Sequence, residues 1–144
     1  MNPVRAAILA EARGWIGTPY CHRASVRGEG ADCLGLVRGV WRAVIGPEPA
    51  ALPAYAPDWA EATRSETLLD TALRHLRPVP LEAMAPGDVL LFRFRPHLPA
   101  KHAAILSAPD RMIHAYDGAC VCEGHVVPWW RRHLAAAFAF PGAD

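Results

Sequence analysis

The stretch Ala31-Asp32-Cys33-Leu34-Gly35-Leu36-Val37 decides how this sequence is interpreted. An acidic residue precedes the cysteine, and the apolar residues from Leu34 to Val44 recur with helical spacing. This pattern predicts a buried helix with Cys33 in its first turn and Asp32 as its cap. Unpaired backbone N–H groups and the helix dipole at that place favour a thiolate, the nucleophilic form of cysteine. The sequence therefore predicts cysteine chemistry, provided that a base lies within reach.

The composition predicts one globular domain over residues 1–144. The chain has 144 residues, of which 52% are hydrophobic and 20% charged, enough for a single core. A net charge of +1 gives no broad basic surface, so no nucleic-acid partner is expected. No stretch reaches the ~18 apolar residues of a membrane span, and Glu11 and Arg13 interrupt the first apolar segment. We therefore expect neither a secretory signal nor a membrane span, and synthesis in the cytoplasm.

Helices are predicted in the first half of the chain. The apolar spacing favours helices over residues 3–16, over residues 32–45, and from a cap at Asp58 to Leu76. The polar segment 21–31 is predicted to be a loop, and the proline-rich segment 46–57 an extended surface segment.

Strands are predicted in the second half of the chain. They cover residues 89–94, 102–107, 111–116, 119–123, 125–127 and 135–140, with a helical turn over residues 128–133. Because helices come first and consecutive strands follow, the expected fold class is α+β, with the N-terminal helices packed on an antiparallel sheet.

Two histidines are candidates for the base that the cysteine needs. His102 lies six residues before Ala108, in the predicted turn between two strands, and His114 lies six residues after it. If the strands pair through this turn, the two histidines are close to opposite each other and share a face. One imidazole would then accept the cysteine proton while the other holds its ring. The alternative is a small core cysteine with two ordinary histidines.

Several segments of the chain resemble the NlpC/P60 family of cysteine peptidases, which cut the peptide stems of bacterial cell walls. The matching segments are Gly17-Thr18-Pro19-Tyr20, Asp32-Cys33-Leu34-Gly35-Leu36-Val37, Pro86-Gly87-Asp88-Val89-Leu90, His102-Ala103-Ala104-Ile105 and Met112-Ile113-His114-Ala115. Their order and spacing fit nearly the whole chain. The region from Trp15 to Trp41 further resembles the subgroup found with phage tails and gene-transfer particles.

The resemblance implies a papain-like fold and a role for each matching residue. Cys33 would be the nucleophile, His102 the general base and His114 the orienting third residue. Tyr20 would point its hydroxyl at the oxyanion beside the backbone N–H of Cys33. Asp32 would be both a helix cap and a substrate contact. The implied substrate is a peptidoglycan stem peptide, cut through an acyl-enzyme without any cofactor or metal.

The chain also departs from the family pattern. Leu34 stands where a serine is common, which leaves open whether a free amino terminus of the stem is held. Cys21-His22-Arg23 replace a frequent glycine pair, and His22 is a candidate substrate contact. The stretch 46–85 is longer than in the simplest members and is a candidate to shape the cleft or to bind a partner.

Other functions remain open at this point. An acyltransferase or deamidase would use the same cysteine and histidine, and a phage-tail structural component would carry a silent site. A zinc-binding module would use Cys120, Cys122 and His125, although one intervening residue is poor spacing for zinc. The cluster Trp129-Trp130-Arg131-Arg132 would pack on the sheet, or contact glycan or a partner. The resemblance implies phage-tail or gene-transfer-particle proteins as partners, and access to the wall inside a particle or after lysis.

Overall fold

A helix begins at Cys33, as the sequence predicts, in a computed structural model that describes residues 1–49, 66–116 and 118–144. The helices are α1 (Pro3–Gly14), α2 (Cys33–Val44), α3 (Thr67–His75) and α4 (Pro128–Arg132), with a 3-10 helix at Leu81–Ala83. The strands are β1 (Ser25–Val26), β2 (Gly30–Ala31), β3 (Arg77–Val79), β4 (Val89–Phe92), β5 (His102–Ala108), β6 (Arg111–Ala115), β7 (Val121–His125) and β8 (Leu134–Ala139).

Six of these strands form one antiparallel sheet. Its strand order is β3-β8-β4-β5-β6-β7, while β1 and β2 form a separate two-stranded ribbon. The predicted α+β class with an antiparallel sheet is therefore confirmed. None of the helices in the described ranges has the length and apolar character needed to cross a membrane.

The hydrophobic core fills both faces of this sheet. On one face, Leu36 of α2 packs in a cluster with Ile105 and Ile113 of the central strands. On the other face, Leu106 and Met112 belong to a second cluster. Successive side chains of a strand alternate between the two faces, so both central strands are buried on both sides.

The start of α2 is held by a side chain that contacts two separate backbone segments. Asp32 Oδ1 accepts a hydrogen bond from the N–H of Gly35 at 2.7 Å, and Oδ2 accepts one from the N–H of Arg23 at 2.7 Å. Arg23 has a φ of 65°, a left-handed conformation that non-glycine residues rarely adopt. The cap therefore also ties the preceding loop to the helix that carries Cys33.

Helix α1 packs directly on α2 through a close contact at Gly39. A Cβ atom on Gly39 would lie 2.0 Å from Cζ2 of Trp15, so only glycine fits beneath the indole.

Asn2 caps α1 by accepting hydrogen bonds from the N–H groups of Val4 and Arg5.

One predicted pair of strands is wrong. The sequence predicts two strands around Gly124, but β7 runs without a break from Val121 to His125. Gly124 pairs with Met112 of β6, so it continues the ladder instead of forming a turn.

Other differences concern short or terminal elements. The predicted loop 21–31 contains the ribbon of β1 and β2, and β3 is an edge strand of three residues that the sequence does not suggest. Helix α1 ends at Gly14, two residues earlier than predicted. The predicted cap at Asp58 and most of the extended segment 46–57 lie outside the described residues, and the described helix α3 begins at Thr67.

Candidate active site

Cys33 is half-buried at the first position of α2 and lines a cavity of about 560 Å³, called the cleft below. The described residues that line the cleft are Tyr20, Cys33, Phe94, Lys101, His102, Ala115, Tyr116 and Gly118. The fold therefore brings three of the predicted site residues, Tyr20, Cys33 and His102, to one cavity although they come from different parts of the chain.

The Cys33 thiol is protonated at neutral pH. Burial, followed by the negative charge of Asp32, raises the pKa of Cys33 to about 12. Hydrogen bonds from backbone N–H groups, including those of Ala103 and Leu34, lower this pKa but are outweighed. The prediction of a thiolate favoured by the helix terminus is therefore wrong for the resting protein, because loss of water costs the anion more than the helix terminus returns.

His102 and His114 form a buried pair. Nε2 of His102 lies 2.9 Å from Nδ1 of His114, and the two rings meet edge to face with centroids 5.2 Å apart. The exposed fractions of the two residues are only 6% and 7%. The prediction that these histidines lie on one face, close enough for one ring to hold the other, is confirmed.

The register between β5 and β6 differs from the predicted one. Ile105 pairs with Ile113, which places Ala104, rather than His102, across from His114. The two histidines are therefore diagonal neighbours, because the pairing is irregular between Leu106 and Ala108. The offset is two residues, an even number, so both rings remain on the same face of the sheet.

Both imidazoles are neutral at pH 7. Burial, with a further contribution from His114, lowers the pKa of His102 to about 3. Burial also lowers the pKa of His114 to about 4. A neutral imidazole has one N–H donor and one acceptor nitrogen, so one ring donates to the other across the 2.9 Å contact. A neutral His102 is in the protonation state that a general base requires.

Aromatic rings surround His102, and the sequence did not identify them as part of the site. Trp130 stacks on His102, with centroids 5.0 Å apart and planes inclined by 26°. Phe92, Phe94 and Tyr116 also contact His102, at centroid distances of 5.9, 6.2 and 5.8 Å. Of the two alternatives for the Trp129–Arg132 cluster, packing on the sheet applies to Trp130.

Backbone contacts hold Tyr20 at the cleft. Its N–H donates to the carbonyl of Ala119, and it forms an isolated bridge with Ala31, two residues before Cys33. Tyr20 is one of the described residues that line the cleft. The predicted contact of its hydroxyl with an oxyanion stays a prediction.

Asp32 and His22 lie together beside the start of α2. His22 Nδ1 is 3.8 Å from Asp32 Oδ2, and neither residue is among the described residues that line the cleft. Asp32 is buried and accepts backbone hydrogen bonds through both oxygens. The structure assigns it the capping role, and the substrate contacts predicted for Asp32 and His22 stay predictions.

All four cysteines of the chain are free thiols. In the described ranges, no group of three or more histidine, cysteine, aspartate or glutamate side chains is arranged to hold a metal ion. The alternative of zinc at Cys120, Cys122 and His125 therefore has no structural support.

Comparisons with known proteins identify a family and several relatives. A family model described as "NlpC/P60 family" matches residues 17–138. The chain is 30% identical over 109 residues to gamma-DL-glutamyl hydrolase of Bacillus subtilis (strain 168); the match covers 75% of this chain but only 22% of that protein. This chain therefore spans about a fifth of that relative.

Two solved structures match over almost their whole length. The NlpC/p60 domain of the peptidoglycan hydrolase SagA is 26% identical with a TM-score of 0.65, and the match covers 94% of this chain and 98% of that domain. RipD from Mycobacterium tuberculosis, described as a non-catalytic NlpC/p60 domain protein, is 13% identical with a TM-score of 0.58; the match covers 98% of this chain and 99% of RipD. The second likeness concerns the fold alone.

Proposed function

Because this chain belongs to the NlpC/P60 family, we propose that it is a cysteine peptidase that cuts the peptide stems of peptidoglycan. The observation that carries the proposal is that Cys33 and His102 line the same cleft. Hydrogen bonding to the backbone of Ala103, the residue after His102, is one of the effects that lower the pKa of Cys33. The start of α2 and the start of β5 therefore meet in the cleft.

The protonation states favour proton transfer during attack instead of a thiolate formed beforehand. Nε2 of His102 is engaged with His114, so Nδ1 is the nitrogen that accepts the thiol proton. The sulfur attacks the amide carbonyl as this proton moves, and His102 then donates the proton to the leaving amine. Water then hydrolyses the acyl-enzyme, and His102 again acts as the general base. His114 holds the ring of His102 during both steps.

The developing oxyanion needs hydrogen-bond donors at the start of α2. The backbone N–H of Cys33 and the hydroxyl of Tyr20 are the candidates, since both residues line the cleft. A Tyr20→Phe variant removes the hydroxyl alone. We expect a fall in kcat of about 100- to 1000-fold with KM little changed, the usual effect of losing one oxyanion donor.

The relative from Bacillus subtilis supports a more specific bond as the target. That relative is named gamma-DL-glutamyl hydrolase, and stem peptides that contain a γ-glutamyl linkage are the substrates to test first. Leu34 stands where a serine would help to hold a free amine, so stems with free and with blocked amino termini should be compared.

The decisive experiment is digestion of purified peptidoglycan by the wild type and by Cys33→Ala. We expect stem fragments with new amine and carboxylate ends from the wild type only. Cys21→Ala is a matched control, because Cys21 is an exposed free thiol that is not among the described lining residues of the cleft. Equal digestion by the wild type and Cys33→Ala would exclude the proposal. Transfer of the acyl group to an added amine would identify an acyltransferase instead, and release of ammonia a deamidase.

A silent structural component is the second candidate, because the chain also shares its fold with the non-catalytic RipD. Binding to peptidoglycan without any fragment release, unchanged in Cys33→Ala, would support this alternative. The buried His102–His114 contact supports the catalytic proposal, since two buried histidines are costly without such a contact.

A separate proposal concerns the route to the wall. The resemblance of Trp15 to Trp41 to the phage-tail and gene-transfer-particle subgroup supports incorporation in a phage-like particle. An antibody against this chain should then detect it in purified particles. Its detection only in the soluble fraction of lysed cells would contradict this route.

A further inference from the structure

One indole covers both members of the histidine pair. Trp130 stacks on His102, with centroids 5.0 Å apart, and meets His114 edge to face at 5.4 Å with planes inclined by 89°. It also meets Tyr116, a residue that lines the cleft, edge to face at 5.7 Å. No role in the site was expected for this residue from the sequence.

Contacts with β4 fix the position of Trp130. It belongs to the short helix α4, and its ring meets Phe92 of β4 edge to face, with centroids 4.8 Å apart. The backbone after α4 is tied to β4 by a hydrogen bond from the N–H of Arg93 to the carbonyl of His133. Trp130 packs with the cluster of Leu90 and Phe92, whereas Cys33 packs with the cluster around α2.

Two physical effects follow from this stacking. An indole over the pair excludes water, which would otherwise compete for the hydrogen bond between Nε2 of His102 and Nδ1 of His114. The face of an indole also attracts a cation, so it offsets part of the cost of burying the imidazolium that exists while His102 holds the thiol proton. The first effect keeps the base in position, and the second reduces the cost of the charge that develops there during attack.

We propose that Trp130 is a positioning residue, which holds the His102 ring against His114 and keeps water away from the pair while His102 takes the proton from Cys33. This inference rests on the proposed function, because it assigns Trp130 to the same site. The proton leaves the sulfur for Nδ1 of His102 and passes from there to the leaving amine, so Trp130 itself exchanges no proton or bond.

The test compares Trp130→Phe and Trp130→Leu with the wild type on stem peptides. We expect kcat to fall in the order wild type, Phe, Leu, by about 10- to 100-fold in total, with KM little changed. The acid limb of the pH profile should move to higher pH, because water that reaches His102 returns its pKa towards 6.5 from about 3. This loss of burial outweighs the smaller opposite effect of removing the cation–π contact.

Trp129→Leu is the matched control. Trp129 precedes Trp130 on α4 and meets it edge to face at 5.0 Å, but it is 41% exposed and stacks on His133 instead of His102. We expect its kcat and pH profile to match those of the wild type. An equal kcat in all variants, or a loss in Trp129→Leu as large as that in Trp130→Leu, would overturn the inference. If Trp130→Leu does not fold, Trp130→Phe alone tests the inference. A kcat and pH profile equal to those of the wild type in Trp130→Phe would overturn the inference.

A second measurement does not depend on catalysis. In the Cys33→Ala background, NMR detects the ring N–H proton between His102 and His114 and its exchange with water. We expect slow exchange with Trp130 present and faster exchange in Trp130→Phe and Trp130→Leu. Unchanged exchange would overturn the inference even if peptidase activity is demonstrated. An inactive wild type with slow exchange would instead count against the proposed function alone.

Discussion

The carboxylate of Asp32 caps helix α2 by accepting a hydrogen bond from the backbone N–H of Gly35 at 2.7 Å. The same carboxylate is, after burial, the second cause that raises the pKa of the adjacent Cys33 thiol. The residue that starts the helix therefore opposes ionisation of the thiol that the helix presents. The carboxylate that stabilises the start of α2 therefore also keeps Cys33 in its neutral thiol form.

Replacing Asp32 by asparagine should separate these two effects. Loss of the charge lowers the pKa of Cys33, and we expect alkylation near pH 8 to become faster on the order of 10-fold. The amide accepts through one oxygen only, so the N–H of Gly35 or that of Arg23 loses its acceptor. We expect a loss of about 1–3 kcal/mol in the free energy of unfolding.

Alkylation of Cys33 can be followed alone after Cys21, Cys120 and Cys122 are replaced by alanine. Asp110→Asn is the control, because the Asp110 side chain is largely exposed and pairs only loosely with His125, at 3.6 Å. A slower alkylation of Cys33 in Asp32→Asn than in its parent would contradict the assigned charge effect.

Acid should destabilise the fold through the buried histidines. The folded pKa values of His102 and His114, about 3 and about 4, lie below the ordinary 6.5, so the unfolded chain binds these protons first. The stability from the neutral pair is complete above pH 6.5 and is lost as pH falls towards 3. The slope in this window should approach about 1.4 kcal/mol per pH unit for each histidine. Urea unfolding between about pH 7 and about pH 4.5 measures it.

His114→Gln provides the check on this window. Glutamine does not titrate, so we expect a shallower fall of stability with acid, whereas His125→Gln, at a side chain that is 64% exposed, should follow the wild type. A fall of stability with acid that is equally steep in His114→Gln and in the wild type would refute this account.

At alkaline pH the free energy of unfolding should depend on Cys33. The folded pKa of Cys33, about 12, exceeds the ordinary 9.0, so the stability that the neutral thiol contributes is lost as pH rises from 9 towards 12.

Gly39→Ala should destabilise the fold although alanine favours helices. An exposed helical position gains up to about 1 kcal/mol from this change, but a Cβ at Gly39 lies 2.0 Å from Cζ2 of Trp15. Trp15 is held by a hydrogen bond from its Nε1 to Glu11, so overpacking should cost about 1–3 kcal/mol. Thermal unfolding measures the effect. Gly124→Ala, which meets nothing within 4 Å, is the control; a Tm for Gly39→Ala at or above that of the wild type would disprove the clash.

Arg5→Met should remove a partner from a buried charge. Nη1 of Arg5 lies 2.8 Å from Oδ1 of Asp88, whose side chain is 0% exposed, and the guanidinium also donates to the carbonyls of Pro86 and Ala143. Loss of the cation leaves the buried Asp88 carboxylate with a backbone hydrogen bond from Ala85 but without a positive charge beside it, and we expect a cost of about 3–5 kcal/mol.

The control for this prediction is Arg13→Met. Arg13 is 3.7 Å from Glu123 in a more exposed pair, so its loss should cost less than about 1 kcal/mol. Chemical unfolding of both variants measures the difference. Similar costs for the two changes would show that burial of Asp88 does not set the energetics of the pair.

Local sequence patterns were sufficient to predict part of the candidate active site. The start of α2 was predictable because an N-cap acts over three residues, here from Asp32 to Gly35. The shared face of His102 and His114 was predictable because an even offset preserves the face of a strand. The register itself was not, since it depends on an irregularity between Leu106 and Ala108 that the turn residues did not reveal.

The amino-acid sequence by itself determined the α+β order of elements, the helix that begins at Cys33 and the two histidine-bearing strands. Each of these follows from periodicity and capping within a few residues. Only the tertiary structure decided that Cys33 remains a thiol, because its pKa depends on water excluded by segments far along the chain. Only packing placed Trp130 on His102, since their contact joins residues 28 positions apart through β4, β5 and α4. Burial and ring contacts are sums over distant segments, and no local pattern contains them.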